Sequence, residues 1–229
     1  HGESIFVQSD DRKIDGMASL KARAESAEYG LGKEAFDPKK YSKEQLAQKA
    51  CAKWFDVRAF GQLFAFKRDK SADSDGVSIA IRGPVSLQSA FSVEPVSISS
   101  IQITKSTSGE GDGSKRSSDT MGMKHRVDKG TYVFYGSINP QLAQRTGFSD
   151  EDAAVLKAIL PKLFENDASS ARPEGSMAVN TVFWWVHSCA AGQYSSARVH
   201  NSLTVHRDGT YDLDTSATPG LEPEILPGF

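Results

Sequence analysis

The sequence predicts an α+β fold, and two observations carry this prediction. Short segments of alternating apolar residues, separated by turn signals, mark several strands, while helical patterns occur in only two or three places. Strands that alternate with so few helices indicate an antiparallel sheet with the helices on one of its faces. The 229 residues are enough for one sizeable core, so we expect a single domain over residues 1–229.

The helices are predicted mainly from their caps. Ser42 and Gln45 form a capping-box pattern, and Ser149 caps a later helix in which Pro161 should introduce a kink. Residues 55–61 show no helical stripe. In chain order, the helical segments are residues 14–28, which are weakly helical, 42–54 and 149–164.

The strands are predicted from alternation and from β-branched and aromatic residues. Ile98 and Ile101 are three positions apart and so do not fit one two-residue alternation, which favours a bulge at Ser99-Ser100. Asp208-Gly209 is typical of a hairpin turn. In chain order, the predicted strands are 5–7, 77–81, 96–104, 127–138, 179–187, 203–205 and 211–213.

Two polar runs interrupt this pattern, and charge is unevenly distributed. Residues 67–78 and 105–120 are expected to be exposed loops, the second flexible unless a partner orders it. The net charge of −2 argues against nucleic-acid binding, but the stretch from Lys115 to Lys129 holds five Lys/Arg against two Asp. Residues 147–167 are acidic, so one face can be basic although the whole chain is not.

The cysteines, the apolar runs and the start of the chain bear on where the protein is located. Cys51 and Cys189 lack the spacing of a metal pair, so we expect two buried free thiols and a cytoplasmic location. No apolar run approaches the roughly 18 residues of a membrane span, and no secretory signal is visible. Because the chain begins with His1 rather than Met, we expect that the native start is absent.

The motif search favours a protein without catalytic residues, metal or cofactor. The five histidines have no zinc-ligand spacing, and no Gly-x-Ser-x-Gly motif occurs. The glycine run at residues 109–115 fails the spacing of a phosphate-binding loop. Glu151 and Asp152 lie at a predicted helix N-terminus, where carboxylates are favourable without any catalytic role.

Four segments carry a specific resemblance. They are WFDVRAFG at 54–61, IRGPV at 81–85 continuing to FSVEPV at 91–96, TMGMKHRV at 120–127 leading into YVFYGSINP at 132–140, and FENDASSAR at 164–172. Together and in this order they resemble the backbone subunit of the type I-C CRISPR Cascade complex, the Dvulg-subtype member of the Cas-seven superfamily. The resemblance covers roughly residues 45–210, although the first strand and Asn/Gly/Pro-rich loop of that family have no match here.

The resemblance implies a hand-like protein that binds RNA without cleaving it. An RRM-like palm would carry a helical insertion at about residues 10–54 and a flexible β-hairpin thumb at about residues 103–130. Several copies would line up along one CRISPR RNA, displace bases at regular intervals and leave segments free to pair with target DNA, in antiviral defence with other Cascade subunits. The alternative is a metal-dependent ribonuclease of the related type III kind, whose loop aspartate has no recognisable counterpart here.

The candidate RNA-binding residues follow from these segments and from chemistry. Because guide sequences vary, such a protein must hold phosphates and sugars rather than base edges, which calls for cations, hydroxyls and accessible backbone. The candidates are Arg58, Arg82, Gly83, Met121, Met123, Lys124, His125, Arg126, Ser169, Ser170, Arg172 and Arg198.

Several of these residues have a plain structural alternative. Arg58 could pair with Asp56 or with a helix carboxylate, and Lys124 and Arg126 could form a solvated strand edge. Met121 and Met123 could wedge against a displaced base or fill the core. We expect core positions for three aromatic residues: Phe91, Trp184 and Trp185.

Overall fold

Helices and short strands alternate irregularly along the chain in the computed structural model, which describes residues 2–10, 12–66, 78–104 and 121–229. The loop expected at 67–78 lies outside these ranges except for Ser78, and the flexible loop expected at 105–120 lies outside them entirely. The α-helices are α1 (Leu20–Glu25), α2 (Lys43–Lys53), α3 (Phe55–Phe60), α4 (Pro140–Thr146), α5 (Asp150–Ile159) and α6 (Ser196–Asn201). Short 3-10 turns occur at Lys33–Phe36, Leu160–Lys162 and Thr215–Ala217.

The strands pair two by two, always antiparallel. They are β1 (Gly61–Ala65), β2 (Ser78–Arg82), β3 (Val85–Leu87), β4 (Phe91–Ser92), β5 (Ile98–Thr104), β6 (Met121–Val127), β7 (Tyr132–Val133), β8 (Gly136–Ile138), β9 (Thr181–Trp184), β10 (Leu203–Val205), β11 (Tyr211–Leu213) and β12 (Glu224–Pro227). The pairs are β1–β2, β3–β8, β4–β7, β5–β6, β9–β12 and β10–β11. The α+β class is confirmed, whereas the RRM-like arrangement and the finger and thumb boundaries stay predictions.

The main core is built around three aromatic rings. Phe6, Trp54 and Phe64 are all buried, and the ring of Phe6 lies 4.6 Å from that of Trp54 and 5.1 Å from that of Phe64. Residues 5–7 were expected to form a strand but do not; Asp56 instead accepts hydrogen bonds from the backbone N–H groups of Phe6 and Val7, each at 2.8 Å. A helix carboxylate therefore satisfies the backbone donors of this segment.

Both predicted helix caps are confirmed. The Ser42 hydroxyl accepts from the backbone N–H of Gln45 at 3.2 Å, and the Gln45 side chain accepts from the backbone N–H of Ser42 at 2.9 Å. Ser149 and Asp152 exchange the same pair of hydrogen bonds at 3.2 and 2.9 Å. Helix α5 ends at Ile159 and is therefore shorter than the segment expected over 149–164; Pro161 lies in the 3-10 turn that follows rather than at a kink within the helix.

Helix α3 was missed by the sequence prediction. Its buried residues are Phe55, Val57 and Ala59, which alternate rather than repeat every three or four positions. The helix is short and packs against α2, α4, β1 and β3, so more than one of its sides is covered. A helix enclosed in this way does not show the one-sided stripe on which periodicity analysis depends.

The strands between Pro84 and Asn139 form one long two-stranded ribbon, which we call the ribbon. It consists of β3, β4 and β5 paired with β8, β7 and β6. Val85 and Phe91 are six positions apart, while their partners Ile138 and Val133 are five positions apart, so the outgoing strand carries one extra residue there. A second extra residue lies between β4 and β5, because Ser92 and Ile98 are six positions apart while their partners Tyr132 and Val127 are five positions apart.

The bulge expected at Ser99-Ser100 is therefore wrong in position. Ser99 and Ser100 pair with Arg126 and His125 in unbroken register, and the bulges lie nearer the base of the ribbon. The single strand expected over 127–138 is also divided, because the chain leaves β6 after Val127 and resumes pairing at β7.

The C-terminal part of the chain contains two antiparallel strand pairs. β10 and β11 form the predicted hairpin, and Gly209 in its turn has φ 86°, a conformation that favours glycine. β9 pairs with β12 and is half-buried rather than fully buried, as are Trp184 and Trp185.

The two cysteines are both free, but only one is buried. Burial raises the pKa of the Cys51 thiol to about 11, whereas Cys189 is exposed, so the expectation of two buried thiols is wrong for Cys189. In the part of the chain that the structure describes, every helix is too short or too polar to cross a membrane.

Candidate nucleic-acid interface

The β5–β6 end of the ribbon presents two chemically different faces. Directly opposed residues of an antiparallel pair share a face, and successive residues alternate between faces. The face we call the cationic face carries Ser99, Ile101, Ile103, Lys124 and Arg126. The opposite face, which we call the methionine face, carries Ile98, Ser100, Gln102, Thr104, Met121, Met123, His125 and Val127. Lys124 and Arg126 thus share a face.

The cationic face reaches a loop that is distant in sequence. The Nζ of Lys124 donates a hydrogen bond to the backbone carbonyl of Ser170 at 2.7 Å. Arg126 remains largely exposed and pairs with Asp128 at 3.5 Å. Lys124 and Ser170 come from two of the four segments that carried the family resemblance, so the fold brings these segments together.

The loop that Lys124 contacts, residues 166–172, is held by a reciprocal turn. The backbone N–H of Ser169 donates to the carbonyl of Arg172 at 2.7 Å, and the backbone N–H of Arg172 donates to the carbonyl and the hydroxyl of Ser169, each at 3.1 Å. The guanidinium of Arg172 donates to Asp167 from Nε at 3.1 Å and lies 2.9 Å from it at Nη2. This loop therefore presents Ser169, Ser170 and Arg172 next to the cationic face.

Arg12 joins the same loop and was not predicted. Its Nη2 lies 3.3 Å from Asp167 and also donates to the carbonyl of Asn166. Arg12 lies in a polar N-terminal stretch without any motif, and its partners are about 154 residues away in sequence. No local pattern could have identified it, because the signal is a tertiary contact.

Arg82 and Gly83 play different parts at the end of β2. Arg82 is exposed and has no ion-pair partner among the described residues. Gly83 is buried, and a Cβ at this position would lie 2.3 Å from the carbonyl oxygen of Ala59. The expectation that Gly83 offers bare backbone to RNA has no support here, because its missing side chain makes room for helix α3.

Arg58 forms a structural ion pair. Its guanidinium donates to both carboxylate oxygens of Asp152, at 2.8 and 2.7 Å, and to the carbonyl of Cys51 at 2.9 Å. The hydrogen bonds from Arg58 hold the pKa of Asp152 below its usual value. Arg58 therefore pairs with a helix carboxylate, which is one of its two structural alternatives. Contact with RNA would require breaking this bidentate pair.

Arg198 is also occupied within the chain. It is exposed, but its Nε donates to the carbonyl of Ala217 at 2.5 Å, and its guanidinium lies 4.8 Å from the ring centre of Tyr194. The hydroxyl of Tyr194 in turn donates to the carbonyl of Pro219 at 2.8 Å. These contacts stabilise the C-terminal segment and leave RNA binding by Arg198 without support from this geometry.

The methionine face is open to solvent. Met121 and Met123 are 63% and 55% exposed, so their alternative role as core filler is contradicted. His125 lies on the same face, with its Nδ1 2.8 Å from the hydroxyl of Ser100. Phe91, nearer the base of the ribbon, is 73% exposed, and the expectation that it belongs to the core is wrong.

No group of three or more His, Cys, Asp or Glu side chains that could hold a metal ion occurs within the described ranges.

Fold and surface together define the class: an α+β protein whose projecting two-stranded ribbon carries cations on one face and exposed methionines on the other. Comparison with known families gives the membership. The family described as CRISPR-associated protein Cas7 matches residues 1–219, and the chain belongs to this family. It is therefore a CRISPR-associated protein of antiviral defence, of the kind that forms the backbone along a CRISPR RNA. No curated protein matches the chain.

Proposed function

We propose that this protein holds the sugar-phosphate backbone of a single-stranded CRISPR RNA through the cationic face and the 166–172 loop. The observation that supports this most is the 2.7 Å hydrogen bond from Lys124 to the carbonyl of Ser170. It joins the ribbon to the loop and so gathers Lys124, Ser169, Ser170 and Arg172 on one surface.

The chemistry of this surface suits a ligand of variable sequence. Lys and Arg side chains neutralise phosphates without reading bases, and their binding releases counterions, so affinity falls as salt rises. Hydroxyls from Ser169 and Ser170 can reach phosphate or ribose oxygens. Arg82 is a further exposed cation in this proposal, whereas Arg58 and Arg198 are left out because both are engaged within the chain.

The methionine face has a separate role in this proposal. Because Met121 and Met123 lie opposite Lys124 and Arg126, an RNA strand held by the cations reaches the methionines only by crossing an edge of the ribbon. A base carried across that edge leaves the stack of its neighbours. Exposed apolar side chains can occupy the vacated step, as wedging residues do in kinked nucleic acids.

The finer assignment follows from the sequence segments. We propose that the protein is the backbone subunit of a type I-C Cascade complex in the cytoplasm, and that it is not an enzyme. Further copies of itself, other Cascade subunits and target DNA are its proposed partners besides the CRISPR RNA. Light scattering after size exclusion tests the assembly: we expect a multimer with guide-length RNA and no multimer without it.

The RNA-binding proposal is tested by the salt dependence of affinity. Replacing two phosphate-contacting cations should weaken binding to every single-stranded RNA alike and lower the slope of log affinity against log salt by about 0.7 per cation. The test variant is Lys124→Ala with Arg126→Ala. The matched control is Lys43→Ala with Arg145→Ala, which removes one exposed Lys and one exposed Arg from helices α2 and α4.

The two double variants carry the same net charge, so they separate a local contact from a general charge effect. If the Lys124/Arg126 variant and its control bind RNA equally well, the site assignment fails. The same assay with magnesium reports on the ribonuclease alternative. We expect the RNA to be recovered intact, and cleavage abolished by a single Asp→Ala change would contradict the proposal.

A further inference from the structure

We infer that Arg12, Arg172 and Lys124 form a phosphate clamp in which Asp167 serves as an internal counter-ion that the RNA phosphate displaces. This inference rests on the proposed function and adds to it a binding residue, Arg12, and a positioning residue, Asp167. The ligand class is the phosphodiester backbone of single-stranded RNA.

Three distant parts of the chain converge at this clamp. Arg12 comes from the N-terminal segment, Lys124 from the ribbon, and Arg172 from the 166–172 loop. One carboxylate, that of Asp167, lies 3.3 Å from the guanidinium of Arg12 and 2.9 Å from that of Arg172. Lys124 reaches the same loop through the carbonyl of Ser170.

The balance of charge distinguishes this cluster from a structural ion pair. Two guanidiniums, those of Arg12 and Arg172, share the one carboxylate of Asp167, so this ion-paired group holds one more cation than anions. In the Arg58–Asp152 pair, by contrast, one bidentate guanidinium lies on one carboxylate, and the two side chains are only 12% and 10% exposed. An uncompensated cationic cluster attracts a further anion, whereas a matched pair does not.

The clamp is accessible to a ligand. The side chains of Arg12, Asp167 and Arg172 are 47%, 32% and 44% exposed. Asp167 and Arg172 also line a small cleft at the surface. A phosphate can therefore approach the guanidiniums without any rearrangement of the core.

The donor geometry leaves capacity for a phosphate. Arg172 uses Nε and Nη2 on Asp167, which leaves its Nη1 without a hydrogen-bond partner among the described residues. A guanidinium has five N–H donors in a planar fork, which suits the paired oxygens of a phosphate as well as those of a carboxylate. In the absence of RNA the carboxylate of Asp167 occupies that fork and offsets the repulsion between Arg12 and Arg172.

The cation side of the clamp is tested with Arg12→Ala and Arg172→Ala, each measured in the full chain by fluorescence anisotropy with a labelled single-stranded RNA. Each variant should bind roughly 5- to 10-fold more weakly, because it loses a charge-assisted hydrogen bond to phosphate. Each should also lower the salt slope by about 0.7. Arg145→Ala is the matched control, since it removes an exposed arginine of α4 outside the clamp. Equal effects of Arg12→Ala and Arg145→Ala would overturn the role of Arg12.

The counter-ion role of Asp167 predicts a gain of affinity, which misfolding cannot produce. Asp167→Asn should bind RNA several-fold more tightly at low salt and steepen the salt slope by up to about 0.7, because the phosphate no longer competes with a carboxylate. Glu165→Gln is the matched control: it removes one negative charge two residues away, from an exposed side chain without an ion pair to Arg12 or Arg172. Equal gains for both variants, or a loss for Asp167→Asn, would overturn the counter-ion role.

Failure of this inference is distinguishable from failure of the proposed function. If the unaltered protein binds no single-stranded RNA, the proposed function fails. If it binds RNA and each of the three clamp variants behaves like its matched control, only the clamp is refuted. Melting temperatures of Arg12→Ala and Arg172→Ala within a few degrees of the parent protein ensure that the affinities compare folded chains.

Discussion

Met123 and Lys124 are adjacent in sequence but lie on opposite faces of the β5–β6 pair. The side chain of Lys124 points toward the loop that contains Ser170, with its Nζ 2.7 Å from that carbonyl oxygen, while Met123 shares the other face with His125. The segment MGMKHRV at 121–127 therefore contributes to two surfaces. We expect the cationic face to bind the RNA backbone and the methionine face to displace bases.

Removing the methionines should separate base displacement from backbone binding. In Met121→Ala with Met123→Ala, the salt slope of RNA binding should equal that of the parent protein, because no cation is lost. Wedging should weaken, however, since the apolar side chains that would fill an opened base step are gone. Fluorescence of RNA containing 2-aminopurine reports this: the parent protein should raise it by unstacking the base, and the double variant should raise it less. A changed salt slope with unchanged fluorescence would reverse the two roles.

Arg58→Ala should strongly destabilise the protein. The replacement leaves Asp152 largely buried without its bidentate partner, and loss of one member of a buried pair costs about 3 kcal/mol in the free energy of unfolding. Urea unfolding measures this. Glu3→Gln is the control, because Glu3 lies 3.4 Å from the same guanidinium at an exposed position and should cost less than about 0.5 kcal/mol. Equal costs for the two variants would contradict a dominant Arg58–Asp152 pair.

The same pair predicts how stability depends on pH. The pKa of Asp152 is lowered in the folded protein by its hydrogen bonds from Arg58, so the unfolded chain takes up this proton first as pH falls. The stabilisation is fully present above the unfolded pKa of about 3.9 and is lost as pH falls through the folded value. The difference in unfolding free energy between the parent protein and Arg58→Ala should therefore shrink at pH values below about 4. A difference that grows with acid would have the wrong sign.

Arg23→Lys should destabilise the N-terminal segment although it keeps the charge. Arg23 donates to both oxygens of Asp15, at 2.7 and 3.0 Å, and to the carbonyl of Phe6 at 2.8 Å, and both side chains of the pair are almost fully buried. A lysine ammonium cannot reproduce this fork, so we expect a loss of about 1–3 kcal/mol. Lys21→Arg, two residues away on a more exposed side chain, is a control that should change stability little.

Gly83→Ala should be poorly tolerated for a steric reason. The added Cβ would lie 2.3 Å from the carbonyl oxygen of Ala59 and 2.5 Å from the backbone nitrogen of Gly61, and these backbone atoms cannot easily move. We expect a loss of about 1–3 kcal/mol, measured as a lower melting temperature. Gly122→Ala on the ribbon is the control, because its Cβ would meet only the Ile103 side chain, at 3.6 Å. A melting temperature for Gly83→Ala equal to that of the control would refute the close packing.

Local signals in the sequence predicted local structure well. The capping box at Ser42, the helix cap at Ser149 and the turn at Gly209 depend on residues within a few positions of each other, and all three are confirmed. Helix α3 was missed because its buried residues do not lie on one side. Phe91 was assigned to the core because aromatic residues usually are buried, but the ribbon projects and leaves it exposed.

The candidate site combines residues that local sequence segments identify with residues that only tertiary contacts identify. Lys124, Arg126, Ser169, Ser170 and Arg172 could be selected from sequence because they lie in short recognisable segments. Arg12 lies in no such segment, and the role of Asp167 cannot be derived from its own segment, since both depend on a contact across about 154 residues of chain. Arg58 was selected for its motif, and only the tertiary structure reveals that Asp152 occupies its guanidinium.

The most direct test of RNA backbone binding compares two single-stranded RNAs of equal length and unrelated sequence. Their affinities for the unaltered chain are measured by anisotropy over a range of salt concentrations. We expect both RNAs to bind with similar affinity and the same linear decrease in log affinity with log salt, because phosphates rather than bases are held. Absence of binding, or a strong preference for one sequence that persists at all salt concentrations, would contradict the proposed function.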